Sequence, residues 1–96
     1  MSSSDITRYV VTVTFHEESL TEINEVNNHL TRAGFLLTMS DNDGNIRDLG
    51  TNSYGLISTL EAEEVKALAG GLTKSALGRE VDIIVTTWEN WQNEQQ

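Results

Sequence analysis

No cysteine occurs among the 96 residues, which excludes disulfide frameworks, zinc ribbons, iron–sulfur sites and thiol nucleophiles together. No apolar run approaches the ~18 residues needed to cross a bilayer. The opening MSSSDITRYV lacks the basic and apolar regions of a secretion signal. Those absences set the expectation of a cytoplasmic protein with no membrane association. Positive charge is also scarce: six Lys and Arg stand against fifteen Asp and Glu, a net charge of −9. Such a balance opposes non-specific binding to nucleic acid or to an anionic membrane. Arg8, Arg32, Arg47, Lys66, Lys74 and Arg79 are scattered along the chain and make a poor phosphate track. There is no P-loop and no Gly-x-Gly-x-x-Gly after the first strand. That strand also lacks the aromatic pattern with which RNA-recognition motifs stack bases.

What is present is a globular composition, 38% hydrophobic and 22% charged, in a length that suits one domain. We expect a flexible N-terminus over 1–7, one domain over 8–91 and a polar tail over 92–96. Arg8 to Phe15 alternates, with Tyr9, Val11, Val13 and Phe15 on one side, as a half-buried strand does. Ser19-Leu20-Thr21-Glu22 reads as a capping box. Leu20, Ile23, Val26, Leu30 and Ala33 then form the apolar stripe of a helix that Gly34 ends. A second strand is expected from Phe35 to Ser40, with Phe35, Leu37 and Met39 on one face. Asp43-Gly44 signals a tight hairpin turn.

The returning arm is irregular from Ile46 to Gly50, where a bend or bulge is expected. It becomes a strand from Asn52 to Ser58, with Tyr54 and Leu56 on one side. A second capping box, Ser58-Thr59-Leu60-Glu61, opens a helix striped by Val65, Leu68, Ala69 and Leu72, which Gly70-Gly71 should end or fray. The last strand, Glu80 to Thr87, turns Val81, Ile83 and Val85 inward.

This order predicts an α+β chain, a ferredoxin-like βαββαβ sandwich with a four-stranded antiparallel sheet and both helices on one face. It leaves an open sheet face of Val10, Thr12, Thr14, Leu36, Thr38, Ile57, Ile84 and Thr86. A face that apolar suits a partner, so a homodimer and a protein partner both stay open.

Three stretches carry candidate chemistry. Asp41 to Asn45 suggests a calcium loop, but an EF-hand starting at Asp41 needs Gly and Glu where Ile46 and Asn52 stand. A hairpin turn is the better reading, and we expect no metal and no cofactor. His16-Glu17-Glu18 places an imidazole and two carboxylates at a strand end, where they could hold a divalent ion or act as a general base. The same residues also suit an ordinary helix N-terminus. Finally, Asp43 to Tyr54 gathers Arg47, Asn52, Ser53 and Tyr54. Arg can grip a phosphate in bidentate geometry, and Tyr can stack on a base or donate a proton. Alternatively, Arg47 pairs with Asp41, Asp43 or Asp48 while Tyr54 fills the core beside Leu56.

That last stretch resembles the GhoS family, small antitoxin endoribonucleases of type V toxin–antitoxin systems. The likeness starts at Tyr9-Val10-Val11 and is strongest over Asp43-Gly44 with Arg47, Leu49, Asn52, Ser53 and Tyr54. It continues through Thr59-Leu60 and Glu64-Val65 into the last strand. The resemblance implies a ferredoxin-like fold and sequence-specific cleavage of a toxin messenger, with single-stranded mRNA as partner. On that reading Arg8, Arg47, Asn52, Ser53 and Tyr54 contact RNA. Arg47, Tyr54 and His16 are the catalytic candidates of a metal-independent endoribonuclease. Two family features differ here. Arginines of the first helix are replaced by Val26, Asn27 and Asn28, and an aspartate closing the first strand by Thr14. A non-enzymatic protein-binding or regulatory module, acting through the open sheet face or the acidic helices, is the alternative.

Overall fold

The β-branched alternation of the first strand places it at the centre of the sheet. A computed structural model describes residues 6–14, 20–41, 43–50 and 52–94. In it β1 (Thr7–Thr14) lies between two antiparallel neighbours, and later segments supply both. These are β4 (Ser53–Ser58) on one side and β5 (Asp82–Thr87) on the other. The register sets Val11 opposite Tyr54 in β4 and Val85 in β5, and Tyr9 opposite Leu56. One face therefore carries rows of apolar side chains. Helices α1 (Leu20–Arg32) and α2 (Ala62–Leu77) cover it, packing Val26, Leu30, Val65 and Ala69 against Tyr9, Val11, Val13, Tyr54 and Ile83. Each fully buried Val or Leu there contributes about 1.5–3 kcal/mol from desolvation alone.

The expected left-handed stop of α1 is present. Gly34 has φ 102°, its N–H donates to the Thr31 carbonyl, and the Phe35 N–H donates to the Leu30 carbonyl. This is a Schellman closure with its apolar contact between Leu30 and Phe35. The second helix departs from expectation at both ends. Its capping box is Glu61 with Glu64, three residues later than expected, and it runs through Gly70-Gly71 to a left-handed cap at Gly78. Two interior glycines cost about 1 kcal/mol each. Buried Ala69 and Thr73, with Leu72, Ala76 and Leu77 packed on the core, outweigh that.

The four-stranded sheet does not form. The main sheet has three strands in the order β4-β1-β5, so the α+β class stands without the full ferredoxin-like order. The expected second strand meets the sheet at one point, where Leu36 and Gly55 exchange two backbone hydrogen bonds of 2.7 Å. It then leaves as β2 (Thr38–Ser40), paired with β3 (Ile46–Asp48) in a separate hairpin. The physical cause is that Phe35 and Met39 enter different cores. Phe35 joins the helix side, whereas Met39 packs with Val10, Leu49 and Trp88 on the opposite face. Three alternating residues on one side of a flat strand cannot do that, so the chain turns over at Leu37, which stays half exposed. Gly55 provides the room: a Cβ there would lie 2.7 Å from Met39 Sδ and 3.2 Å from Leu49 Cδ1.

The hairpin turn itself is as expected. The Asp41 carboxylate accepts hydrogen bonds from the N–H groups of Asp43 and Asn45, and Gly44 takes φ 84°. The expected bend falls at Gly50, with φ 95°.

The open face is also partly closed. Val10, expected on it, is fully buried beneath Met39, Leu49 and Trp88. Trp88 belongs to a third helix, α3 (Trp88–Glu94), which follows β5 directly and overlaps the expected polar tail. Trp88 and Trp91, one turn apart, stack with ring centres 5.3 Å apart. Leu36, Ile57 and Ile84 remain exposed on that side. The His16-Glu17-Glu18 cluster and the Ser19 cap lie outside the described residues. Among the described residues, no helix is long and apolar enough to cross a membrane.

Candidate functional site

The bend between β3 and β4 builds a groove. Asp48 Oδ1 accepts the Gly50 N–H at 2.9 Å, and the chain then passes through left-handed Gly50 and Asn52, the latter at φ 62°. Asn is one of the few side-chain-bearing residues that visits this region without a large penalty. The Asn52 carbonyl accepts from the Val13 N–H at 2.9 Å, which locks the turn onto β1. Asn52, Ser53 and Tyr54 thereby line a groove of about 510 Å³ with Ile23 and Asn27 of α1, Leu37, Thr38, Asp48 and Gly50.

Tyr54 is 1% exposed. Its ring belongs to the helix-side core and leaves no exposed face on which a base could stack. Its hydroxyl donates to Asn27 Oδ1. Burial pushes the phenol up to about 12, so at neutral pH Tyr54 is a protonated donor rather than a base. The Asn52 Oδ1 is buried and has no hydrogen-bond partner among the described residues. Ser53 Oγ lies 3.4 Å from Thr12 Oγ1.

The arginines are placed elsewhere. Arg47 is exposed on the hairpin opposite Met39 and lies 3.7 Å from the Asp41 carboxylate. It does not line the groove. Arg8 is on the hairpin side of the sheet, donating to the Ser40 carbonyl at 3.2 Å with its guanidinium 5.9 Å from the centre of the Trp88 ring. It faces a smaller depression of about 260 Å³ with Leu36, Met39, Ser40, Ile46 and Ile57. Arg79 is on the helix side, bound to both carboxylate oxygens of Glu22 at 2.9 and 3.3 Å. Lys66 and Lys74 border a third groove between α2 and β5, together with Glu63, Glu80 and Asp82.

The structure thus brings Asn52, Ser53 and Tyr54 together and sets Arg8 and Arg47 on the hairpin side. His16 lies outside the described residues. Asn27 is the groove residue the sequence did not single out for a role. Its signal was its place beside Val26 on the flank of an apolar stripe, where a polar side chain borders the core. Among the described residues no three His, Asp or Glu side chains are grouped so as to hold a metal.

The family model described as endoribonuclease GhoS matches residues 1–94, and the chain belongs to that family. Its relatives include the proteins YdiZ of Escherichia coli K12 and of Escherichia coli O157:H7, both described as uncharacterized. Each is 59% identical over 93 residues, covering 97% of this chain and 97% of the relative.

Proposed function

We propose that this chain is a cytoplasmic antitoxin-type endoribonuclease that cleaves a toxin-encoding messenger RNA. The observation that carries this reading is the family match over residues 1–94. Asn52, Ser53 and Tyr54 offer polar contacts in the groove, while Arg8 and Arg47 supply cations on the hairpin side. Cleavage without a metal requires a base to take the 2′-hydroxyl proton as that oxygen attacks phosphorus. The 5′-oxygen leaves and takes up a proton, leaving a 2′,3′-cyclic phosphate. In this scheme His16 is the base and Arg47 steadies the charge building on the phosphorane. Tyr54 holds Asn27 in place through its hydroxyl. The architecture is read as a ferredoxin-like variant whose second strand has separated, with the Leu36–Gly55 bridge as its remaining tie.

The test is incubation of labelled single-stranded RNAs with wild type, Arg47→Ala and His16→Ala, with and without magnesium. Wild type should cut in both conditions, and Arg47→Ala should lose about 10²–10³ in rate. Equal rates in all three would overturn the assignment of the site. One set of observations favours a second reading, a protein-binding module or homodimer. The net charge is −9, Arg79 is turned to the helix side, and Leu36, Ile57 and Ile84 are exposed on the sheet face. Neither cleavage nor RNA binding at low salt, where electrostatic attraction is greatest, would decide for it.

A further inference from the structure

We propose that the groove beneath the β3–β4 bend is a nucleobase-reading site, in which Asn27 and Asn52 recognise the hydrogen-bonding edge of one unpaired base. The proposal rests on the RNA reading above and specifies which part of the RNA the groove takes. Among the described residues its lining has no lysine or arginine and one carboxylate, Asp48. A phosphate would meet the Asp48 carboxylate there and no cation to offset it, so the site suits a neutral ligand. A volume of about 510 Å³ falls within the range of small-molecule sites. Ile23 and Leu37 offer apolar walls for the faces of a base.

The polar groups are arranged for an edge. Asn27 Oδ1 is occupied by the Tyr54 hydroxyl, which orients that amide and leaves its Nδ2 hydrogens for a ligand. Asn52 lines the groove, yet its buried Oδ1 has no hydrogen-bond partner among the described residues. The terminal torsion of an amide is broad and two-fold, so nothing fixes the Asn52 acceptor inward. On binding, that amide turns by half a rotation, which exchanges its oxygen and nitrogen and sets the acceptor toward the ligand. One oriented donor and one unassigned acceptor complement an acceptor–donor pair on a base. Such pairs are read in unpaired RNA, where the edge is free.

The experiment uses the full chain, labelled with nitrogen-15 and titrated with the four neutral ribonucleosides and, separately, inorganic phosphate. The side-chain amide signals of Asn27 and Asn52 are followed. At least one nucleoside should shift both signals, with an affinity unchanged between low and high salt, and phosphate should leave them in place. Asn52→Gly keeps the φ 62° backbone accessible and should weaken nucleoside binding about tenfold. Asn27→Asp keeps the acceptor for Tyr54, removes the donor and should do the same. Silence of both amides toward all four nucleosides, a shift with phosphate, or full affinity in Asn52→Gly would overturn the proposal. RNA cleavage is scored separately. Nucleoside binding without cleavage would leave the base site standing and remove the nuclease reading, and cleavage with a silent groove would do the reverse.

Discussion

Replacing Tyr54 by Phe removes one oxygen from the seam between core and groove, and its consequence depends on pH in a calculable way. At neutral pH the loss is the hydrogen bond to Asn27, about 1 kcal/mol, since the Asn27 amide borders the groove and water can reach it. At high pH the sign changes. The phenol titrates at its ordinary value of 10.0 when unfolded and at about 12 in the fold. A raised acid pKa means the folded state binds the proton more tightly. The stabilisation is therefore full below pH 10 and is lost as pH rises through 12. Two units correspond to at most about 2.7 kcal/mol. The hydroxyl edge meets a solvent-open groove, so screening reduces this to about 1–2 kcal/mol.

The assay is urea unfolding of wild type and Tyr54→Phe at pH 8 and at steps up to pH 12. All other side chains are common to the two proteins, so their contributions cancel in the difference. Wild type should be the more stable at pH 8, and its advantage should vanish or reverse near pH 12. A difference between the two proteins that stays constant from pH 9 to 12 would refute the burial argument.

Gly55→Ala places a methyl 2.7 Å from Met39 Sδ. It should cost about 1–3 kcal/mol and speed hydrogen exchange at the Leu36 amide, and an unchanged urea midpoint would contradict the crossing geometry. Arg47→Ala breaks an exposed pair at 3.7 Å and should alter stability by less than about 0.5 kcal/mol. Thermal unfolding thus separates any activity loss from misfolding. Glu22→Gln should cost about 0.5–1 kcal/mol through the Arg79 pair, with the loss shrinking as salt rises. A salt-independent effect would point to packing instead.

The central part of the fold was legible because period and burial agree there. In β1 and β5 the inward residues Val11, Val13 and Ile83 are those of the alternation. In α1 the stripe residues Val26 and Leu30 are fully buried and Gly34 stops the helix. The hairpin strand was not legible, because a period of two cannot show that Phe35 and Met39 serve opposite faces of one sheet. Nor was the length of α2, since glycine propensity is local while the packing of Thr73, Ala76 and Leu77 is not. Helix α3 was hidden in a polar segment whose two aromatics, three residues apart, were its sole apolar face. Of the site, the sequence placed Asn52, Ser53 and Tyr54 together but could not show that Asn27 faces them, a contact spanning 27 positions.

The chain's two tryptophans are stacked on each other at the outer face of the sheet. Excitation chosen to select indole over phenol therefore reports on one locality of the molecule. Emission will follow the seating of the last helix on the hairpin, while the opposite layer, with Tyr54, stays optically silent. A probe is thus built into the native chain, and an emission change on adding RNA would reveal movement at the Arg8 side without any label.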